Sequence, residues 1–286
     1  MQEITLKAYA KINLALFVGG KRPDGYHELS SVMQSVSLYD LVTVKKNDSG
    51  KITINSNSFE IPLDETNIAV KAAKLMKDNF SISSGFDIYI EKNIPIGGGM
   101  AGGSTNAAAV ILAICKLENL EKSIDELCAL GKQIGADVPF CIFKETALAE
   151  GIGEKLKRIT PLADCYIVLV NPNINISTGK IFNMIDSGVR VFKKAENLVS
   201  ALCEGNFEKI CSLLDNDMQS YTLSVCPEID EIIAKLKKAG AKNAIMSGSG
   251  STCFGLFKDL PNDDLLKEVF KGYWYKVVRP LNAQNI

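Results

Sequence analysis

Apolar and polar residues alternate over most of the first part of the chain. From Ile4 to Val18 the apolar side chains fall on one face of a predicted strand, and Lys11 and Asn13 share the other face. The same pattern predicts strands at 29–37, 41–45, 51–55 and 86–94, and a helical period predicts a helix at 67–79. The early chain is therefore predicted to be rich in strands.

A helical period returns after residue 104. The pattern predicts a helix over 104–118 with Ser104 or Thr105 as its cap, and a second helix that starts near Ile124. Two short strands are predicted near 147–150 and 154–159.

A new unit is predicted to begin near Cys165. It contains strands at 166–170, 244–246, 253–257 and 273–278, and helices near 178–185, 196–204, 207–214, 228–239 and 265–271. Strands and helices mix without strict alternation, which predicts an α+β fold. A boundary near Ala163 divides the chain into predicted domains 1–162 and 163–286.

Five glycines lie within seven positions, 97–103, between a predicted strand and a predicted helix. A glycine loop at a helix N-terminus is a ready anion site, because unpaired N–H donors and the positive end of the helix dipole point the same way. A flexible connector is the alternative, but so many glycines would cost backbone entropy without return. The stretch therefore favours phosphate binding.

Two common phosphate loops fit this stretch less well. A Walker A loop needs Lys where Gly103 stands. Gly97, Gly99 and Gly102 match the dinucleotide fingerprint, but a helix follows where that fold needs a strand ending in an acid. A dinucleotide-binding oxidoreductase stays the weaker alternative.

Composition narrows the class of protein. The 286 residues are 47% hydrophobic and 23% charged with a net charge of −1, so no overall charge favours nucleic acid or membrane as a partner. No apolar run has transmembrane length and the first residues do not resemble a signal peptide, so a cytoplasmic protein is expected. The eight scattered cysteines are predicted to be reduced core residues, and with a single histidine and no paired cysteines a structural zinc site is not expected.

Five segments, in this order, resemble the GHMP kinase superfamily: 10–14 (AKINL), 21–28 (KRPDGYHE), 95–106, 135–139 (GADVP) and 247–252 (SGSGST). Met100, Ala101 and Thr105 depart mildly from the pattern of the family. The resemblance implies a two-lobed α+β fold with its active site in the cleft between domains. It also implies ATP-dependent phosphorylation, with Mg²⁺, of the 2-hydroxyl of cytidine diphosphate methylerythritol by a monomer or weak dimer.

The resemblance also implies residue roles. Asp137 is expected to take the proton of the acceptor hydroxyl with Lys11 beside it, and Ser104 is expected to bind magnesium. The nucleotide is expected to contact Pro95, Ile96, Gly97, Gly98, Gly99, Met100, Ala101, Gly102, Gly103, Ser104, Thr105 and Asn67. The cytidine substrate is expected to contact Asn13, Tyr26, His27, Thr178 and Phe182, with Lys21 and Arg22 near its diphosphate. The turn at 247–252 is expected to brace the substrate or the glycine loop.

Other interpretations stay open on the residues alone. Asp137 is equally explained as a helix cap, and Lys11 as a solvated charge on an exposed strand face. A related kinase for mevalonate, homoserine or galactose is a further alternative. The paired Tyr26 and His27 disfavour it, because those substrates carry no base to stack.

Overall fold

The computed structural model describes residues 2–162, 164–186 and 191–282. The chain divides into two compact units that interleave along the sequence. Unit one comprises 1–10, 38–96 and 101–144, and unit two comprises 11–37, 97–100 and 145–286. The predicted boundary residue Ala163 lies outside the described residues, and a division at that point stays a prediction.

In chain order the elements are β1 (Glu3–Lys21), β2 (His27–Asn47), β3 (Ile52–Ser56), α1 (Ile68–Phe80), β4 (Gly85–Glu91), α2 (Gly102–Leu117), α3 (Ile124–Lys132), α4 (Val138–Phe143), β5 (Thr146–Gly151), β6 (Lys155–Arg158), β7 (Tyr166–Asn171), α5 (Thr178–Ile185), α6 (Glu196–Glu204), α7 (Phe207–Ser212), β8 (Asp215–Asn216), α8 (Gln219–Leu223), α9 (Glu228–Lys238), β9 (Asn243–Met246), β10 (Cys253–Phe257), α10 (Asp263–Val269) and β11 (Trp274–Val278). The mixture of helices and sheets confirms the predicted α+β class.

Unit one packs helices on a sheet. Strand β4 lies between β3, to which it is parallel, and residues 41–47 of β2, to which it is antiparallel. Apolar side chains of α1, α2 and β4 form one buried core, which includes Met76, Phe86, Ile90, Ile111 and Ile114. Each such side chain contributes about 1.5–3 kcal/mol by leaving water, so this core is the main force that holds α2 in place.

Unit two contains two groups of strands. Residues 29–34 of β2 pair with β5, β5 pairs with β6, and β1 lies between β2 and the short strand β8. A separate antiparallel sheet has the order β11–β7–β10–β9. Its core includes apolar residues of α5, α9 and α10.

Some predicted elements need correction. The two strands predicted at 29–37 and 41–45 are one strand, β2. Just before the expected break, Ser37 N donates to Arg279 O at 2.9 Å and Leu281 N donates to Ser35 O at 2.9 Å, so distant backbone pairs with the end of the first predicted strand. Helix α4, helix α8 and strand β8 were not predicted, since each is too short to show a period.

The cysteines are free thiols. Six are buried, as predicted for core residues, but Cys128 is half-buried and Cys203 is exposed. Within the described ranges, none of the helices combines the length and the apolar character that crossing a membrane requires.

Candidate active site

The glycine loop, whose residues 97–100 belong to unit two, requires glycine because other atoms of that unit come very close. Gly97 and Gly99 have φ of +63° and +74°, a region that L side chains rarely adopt. A Cβ on Gly99 would stand 2.2 Å from Ser247 O, and one on Gly97 would stand 1.9 Å from Asn175 Oδ1. The loop is a closely packed structure, and the flexible-connector interpretation is wrong.

The second glycine turn, 247–252, holds this loop. Thr252 N donates to Gly98 O at 3.3 Å, and Ser247 Oγ donates to Gly99 O at 3.2 Å. These bonds confirm the predicted bracing of the glycine loop.

The same turn joins two further site segments. Asn13 N donates to Ser247 Oγ at 3.4 Å, and Ser249 Oγ lies 2.7 Å from Thr178 Oγ1 at the start of α5. Ser247 and Ser249 therefore connect β1, the glycine loop and α5. The sequence analysis named neither serine, although hydroxyls spaced between glycines are the type of residue that bonds nearby backbone.

Lys11 and Asn13 form a buried pair on β1. Lys11 is 5% exposed to solvent and Asn13 is 1% exposed. Lys11 Nζ donates a hydrogen bond to Asn13 Oδ1 at 2.7 Å. Asn13 Nδ2 donates to Ser31 Oγ at 2.9 Å, and Ser31 Oγ donates to Ala15 O at 2.6 Å. The interpretation of Lys11 as a solvated surface charge is therefore wrong. A buried ammonium oriented by an amide suits an anionic ligand.

The same strand contacts the glycine loop. Lys11 N donates to Met100 O at 3.2 Å, so the backbone that carries the ammonium is joined directly to the end of the loop. The sequence analysis expected these two segments to share a site, and this bond brings them together.

His27 is held between an aromatic ring and a carboxylate. Its ring stacks on Phe182 with centroids 4.9 Å apart and an interplanar angle of 14°, and its Nε2 lies 2.5 Å from Asp186 Oδ1. Lys21 Nζ donates to Asp186 Oδ2 at 2.7 Å. The hydrogen bond from Lys21, followed by that from His27, lowers the pKa of Asp186. The sequence analysis missed Asp186, which no motif marks.

The other residues expected near the substrate are more exposed. Tyr26 is 56% exposed, and Arg22 is ion-paired with Glu28 at 3.0 Å and with Asp24 at 3.1 Å. The predicted base contacts of Tyr26, His27 and Phe182 stay predictions.

Helix α2 of unit one begins earlier than predicted. Its N-cap is Ala101, with φ of +58°, and alanine has no side-chain acceptor for the N–H groups of the first turn. Ser104 and Thr105 lie inside the helix, so their prediction as caps is wrong. Thr105 Oγ1 instead donates to Tyr9 O at 2.8 Å. Gly103 is exposed and Ser104 half-buried, so this helix end is open to a ligand.

Asn67 has a structural task at the start of α1. As N-cap it accepts from Ala69 N at 2.9 Å, and its Nδ2 donates to Pro62 O at 2.7 Å. The predicted helix start is confirmed, and the adenine contact stays a prediction.

Asp137 immediately precedes helix α4. It occupies the N-cap position, as the alternative interpretation expected, but among the described residues its carboxylate makes no capping hydrogen bond to that helix. Tight packing of α3 on α4 fixes this helix start, since a Cβ on Gly131 would stand 2.8 Å from Val138 Cγ1. The catalytic role of Asp137, and its partnership with Lys11, stay predictions.

Comparisons with known proteins place the chain among kinases. The model of the GHMP kinases N terminal domain matches residues 67–145, and that of GHMP kinases C terminal matches 198–276. The 4-diphosphocytidyl-2-C-methyl-D-erythritol kinase of Lachnoclostridium phytofermentans is 43% identical over 279 residues, which cover 97% of this chain and 94% of the relative. That of Clostridioides difficile is 44% identical over 278 residues, covering 96% and 93%.

Solved structures agree. A crystal structure of 4-(cytidine 5'-diphospho)-2C-methyl-D-erythritol kinase has a TM-score of 0.76 at 29% identity and covers 96% of this chain and 99% of its own. A homoserine kinase from Cytophaga hutchinsonii has a TM-score of 0.80 at 17% identity, covers 99% of this chain and 96% of its own, and shows the shared fold alone.

Proposed function

Because the chain belongs to the 4-diphosphocytidyl-2-C-methyl-D-erythritol kinase family of the GHMP kinases, we propose that it phosphorylates that compound at the 2-hydroxyl. The phosphoryl donor is ATP, and the reaction belongs to the non-mevalonate route to isoprenoid precursors. The observation that carries this proposal is the braced glycine loop joined to the strand that holds Lys11 and Asn13.

The residues present fit ATP with a magnesium ion. The first turn of α2 has an alanine N-cap and exposed Gly103, and the loop before it has glycine where neighbouring atoms come close. Such an end offers N–H donors and a positive dipole to phosphate oxygens. Ser104 has a hydroxyl at the same turn and is the residue we assign to Mg²⁺, which offsets phosphate charge when bound.

The protein's own residues would then position and deprotonate the acceptor alcohol. Asp137 accepts the proton of the 2-hydroxyl, and the Lys11 ammonium stabilises the oxygen as negative charge develops. Asn13 orients Lys11 through its Oδ1, and we assign it to a substrate hydroxyl as well. His27 and Phe182 hold the cytosine, Thr178 and Tyr26 border it, and Lys21 and Arg22 lie near the diphosphate.

Two competing functions are less well supported. A dinucleotide-binding oxidoreductase needs a parallel strand after the first helix, whereas α2 is followed by helices α3 and α4. The substrates of a mevalonate, homoserine or galactose kinase carry no base, so they would give the stacked His27 and Phe182 no role in binding. We further propose that the protein is a cytoplasmic monomer or weak dimer and that neither nucleic acid nor membrane is its partner.

An activity assay with matched acceptors tests the proposal. The purified chain with ATP and Mg²⁺ is given the cytidine compound, its uridine analogue, mevalonate, homoserine and galactose, and thermal shifts are measured with ATP and NAD. We expect the uridine analogue to have a roughly 10- to 100-fold lower kcat/KM, because a mismatched buried polar group costs about 1–3 kcal/mol. ATP, and not NAD, is expected to raise the Tm.

Two variants test which residues discriminate between the cytidine compound and its uridine analogue. Phe182→Ala is expected to raise KM for the cytidine compound while leaving KM for ATP unchanged, and His27→Ala is expected to narrow the gap between the two bases. Equal kcat/KM for both bases in the wild-type protein would show that this cluster does not read cytosine. Phosphorylation of mevalonate, homoserine or galactose alone would instead identify a related kinase.

A further inference from the structure

Asp40, on β2, is a buried carboxylate with four hydrogen-bond donors, all within unit one. Its side chain is 0% exposed. Its Oδ1 accepts from Asn93 N at 2.7 Å and from Ile94 N at 2.8 Å. Its Oδ2 accepts from Asn106 Nδ2 at 2.8 Å and from Lys92 Nζ. Both oxygens are fully used, and the ammonium compensates the charge.

The donors lie at the two ends of the glycine loop. Asn93 and Ile94 precede the loop. Asn106 follows it, in the first turns of α2 and directly after Thr105. Backbone N–H groups bonded to a carboxylate are held more strongly than those bonded to a neutral acceptor. One side chain thus joins the entrance and the exit of a loop whose glycines give it no stiffness of its own.

Lys92 is part of the same cluster and lies beside the helix start. Its Nζ is 3.4 Å from Asn106 Oδ1, and a Cβ on Gly102 would stand 3.1 Å from Nζ. Gly102 therefore leaves room for the ammonium at the first turn of α2. The cluster fixes this helix end from β2, from the residues before the loop and from α2 itself.

We propose that Asp40 is a positioning residue for nucleotide binding, which sets the separation and orientation of the two ends of the glycine loop. It does not touch the nucleotide. It determines whether the N–H groups of the first turn of α2 are presented to phosphate oxygens in one arrangement or in several. This inference rests on the proposed kinase function, because it assigns the phosphates to this loop.

A purely structural role makes a different prediction. If the cluster only stabilises unit one, its loss lowers Tm and leaves the nucleotide affinity of the folded protein unchanged. If it positions the loop, nucleotide affinity falls while the KM for the acceptor alcohol is unchanged. The two roles therefore separate in a comparison of ADP affinity, KM for ATP and KM for the acceptor.

The central test is a donor–acceptor exchange between Asp40 and Asn106 in the full-length chain. Asp40→Asn keeps one oxygen for Asn93 and Ile94 but presents an NH₂ group to the donors Asn106 and Lys92. Asn106→Asp added to it supplies an acceptor for that NH₂ group and a carboxylate for Lys92. Asp87→Asn is the matched control, since Asp87 on β4 accepts only from residues remote from the loop among those described, Asn47 Nδ2 and Thr53 Oγ1.

We expect Asp40→Asn to raise the ADP Kd from calorimetry and the KM for ATP by roughly 10- to 100-fold, the size expected for small misplacement of a binding group. The KM for the acceptor is expected to stay within about twofold. The double variant is expected to recover most of the lost affinity, and Asp87→Asn to bind ADP like the wild type. Asn106→Ala, which leaves the Asp40–Lys92 pair intact, is expected to show a smaller loss of affinity.

Unchanged ADP affinity in folded Asp40→Asn, or no recovery in the double variant, would overturn the proposal. If Asp40→Asn does not fold, Asn106→Ala and the double variant decide by the same measurement. ADP binding is measured without acceptor, so it is independent of which alcohol is phosphorylated. A wild-type protein that binds ADP but does not phosphorylate the cytidine compound would refute the proposed function and leave the positioning role of Asp40 to be judged by its own variants.

Discussion

Lys11 shows how a charged side chain is buried and oriented by a neighbour on the same strand face. Its ammonium is almost completely removed from water, yet its Nζ has Asn13 Oδ1 at 2.7 Å. The amide oxygen of Asn13 is an acceptor that orients this ammonium. The positive charge of Lys11 therefore has a fixed place on β1.

Asp137 is the residue for which the sequence makes the sharpest chemical prediction. Asp137→Asn keeps the size of the side chain but removes its ability to accept a proton. We expect kcat with the cytidine compound to fall by roughly 10²–10⁴-fold, the usual contribution of a general base. KM for ATP should barely change, because backbone N–H groups are expected to hold the phosphates. Steady-state kinetics with each substrate varied measures both quantities.

A second catalytic variant and a control variant accompany Asp137→Asn. Lys11→Ala is expected to reduce kcat to a similar extent, since it removes the charge that stabilises the developing alkoxide. Asp125→Asn, which removes an exposed carboxylate from the first turn of α3, is the control and should retain wild-type kcat. Wild-type turnover by Asp137→Asn would remove the base from the mechanism, while the assignment to the kinase family would stand on its own evidence.

At the scale of elements, the two glycine segments form one structure. The carbonyls of Gly98 and Gly99 accept from Thr252 N and Ser247 Oγ, and a Cβ on Gly248 would stand 2.9 Å from Gly99 O. Segments about 150 residues apart in sequence therefore fix each other through backbone contacts. Any side chain added between them must push the two turns apart.

Gly99→Ala tests this contact. The new Cβ would meet Ser247 O at 2.2 Å at a residue with positive φ, so we expect the free energy of unfolding to fall by at least about 1–3 kcal/mol and ADP binding to weaken. Urea unfolding and calorimetry measure the two effects. Gly20→Ala is the matched control, since a Cβ there has open space, and it should change stability by less than about 0.5 kcal/mol. Equal stability of the two variants would mean that the turns do not pack as described.

The sequence predicts long periodic elements well and their ends less well. Helices α1, α3, α5 and α6 begin within a residue of their expected positions because their apolar period is clear, and Asn67 and Ser123 also cap the first two. Helix α2 starts at Gly102 because Ala101 adopts a left-handed backbone, which nothing in the local pattern of an alanine signals. The β2 strand was divided in the prediction, and its backbone partners just before the expected break, Arg279 and Leu281, lie far along the chain.

In the site, too, contacts between residues close in sequence were predictable and contacts between distant residues were not. The glycine loop and the pairing of Lys11 with Asn13 follow from residues that are neighbours in sequence or on one strand face. Asp40 and Asp186 were missed, because each acts through residues 50 or more positions away and carries no motif of its own. Only the fold reveals which polar residues share a cluster.

At the scale of the whole molecule, the cysteines report how well both cores exclude water. Burial raises the pKa of Cys115, Cys128 and Cys226 to about 11, and that of Cys165 and Cys211 to about 12. Burial also raises the pKa of Cys253. A thiol reacts as its thiolate, so a raised pKa lowers its reactivity at neutral pH and restores it only as pH rises toward that value.

The number of thiols that react rapidly with a disulfide reagent at pH 8 tests this burial. In the native protein one thiol, the exposed Cys203, should react rapidly, because a thiol with a pKa near 11 is only about one part in a thousand thiolate at this pH. All eight should react after unfolding in denaturant, where burial no longer disfavours the charged form. Cys203→Ser should abolish the rapid phase and leave the slow thiols unaffected. Rapid reaction of two or more thiols in the native protein would show that one of the cores opens far more readily than its packing implies, and the identity of the labelled cysteine would say which unit it is.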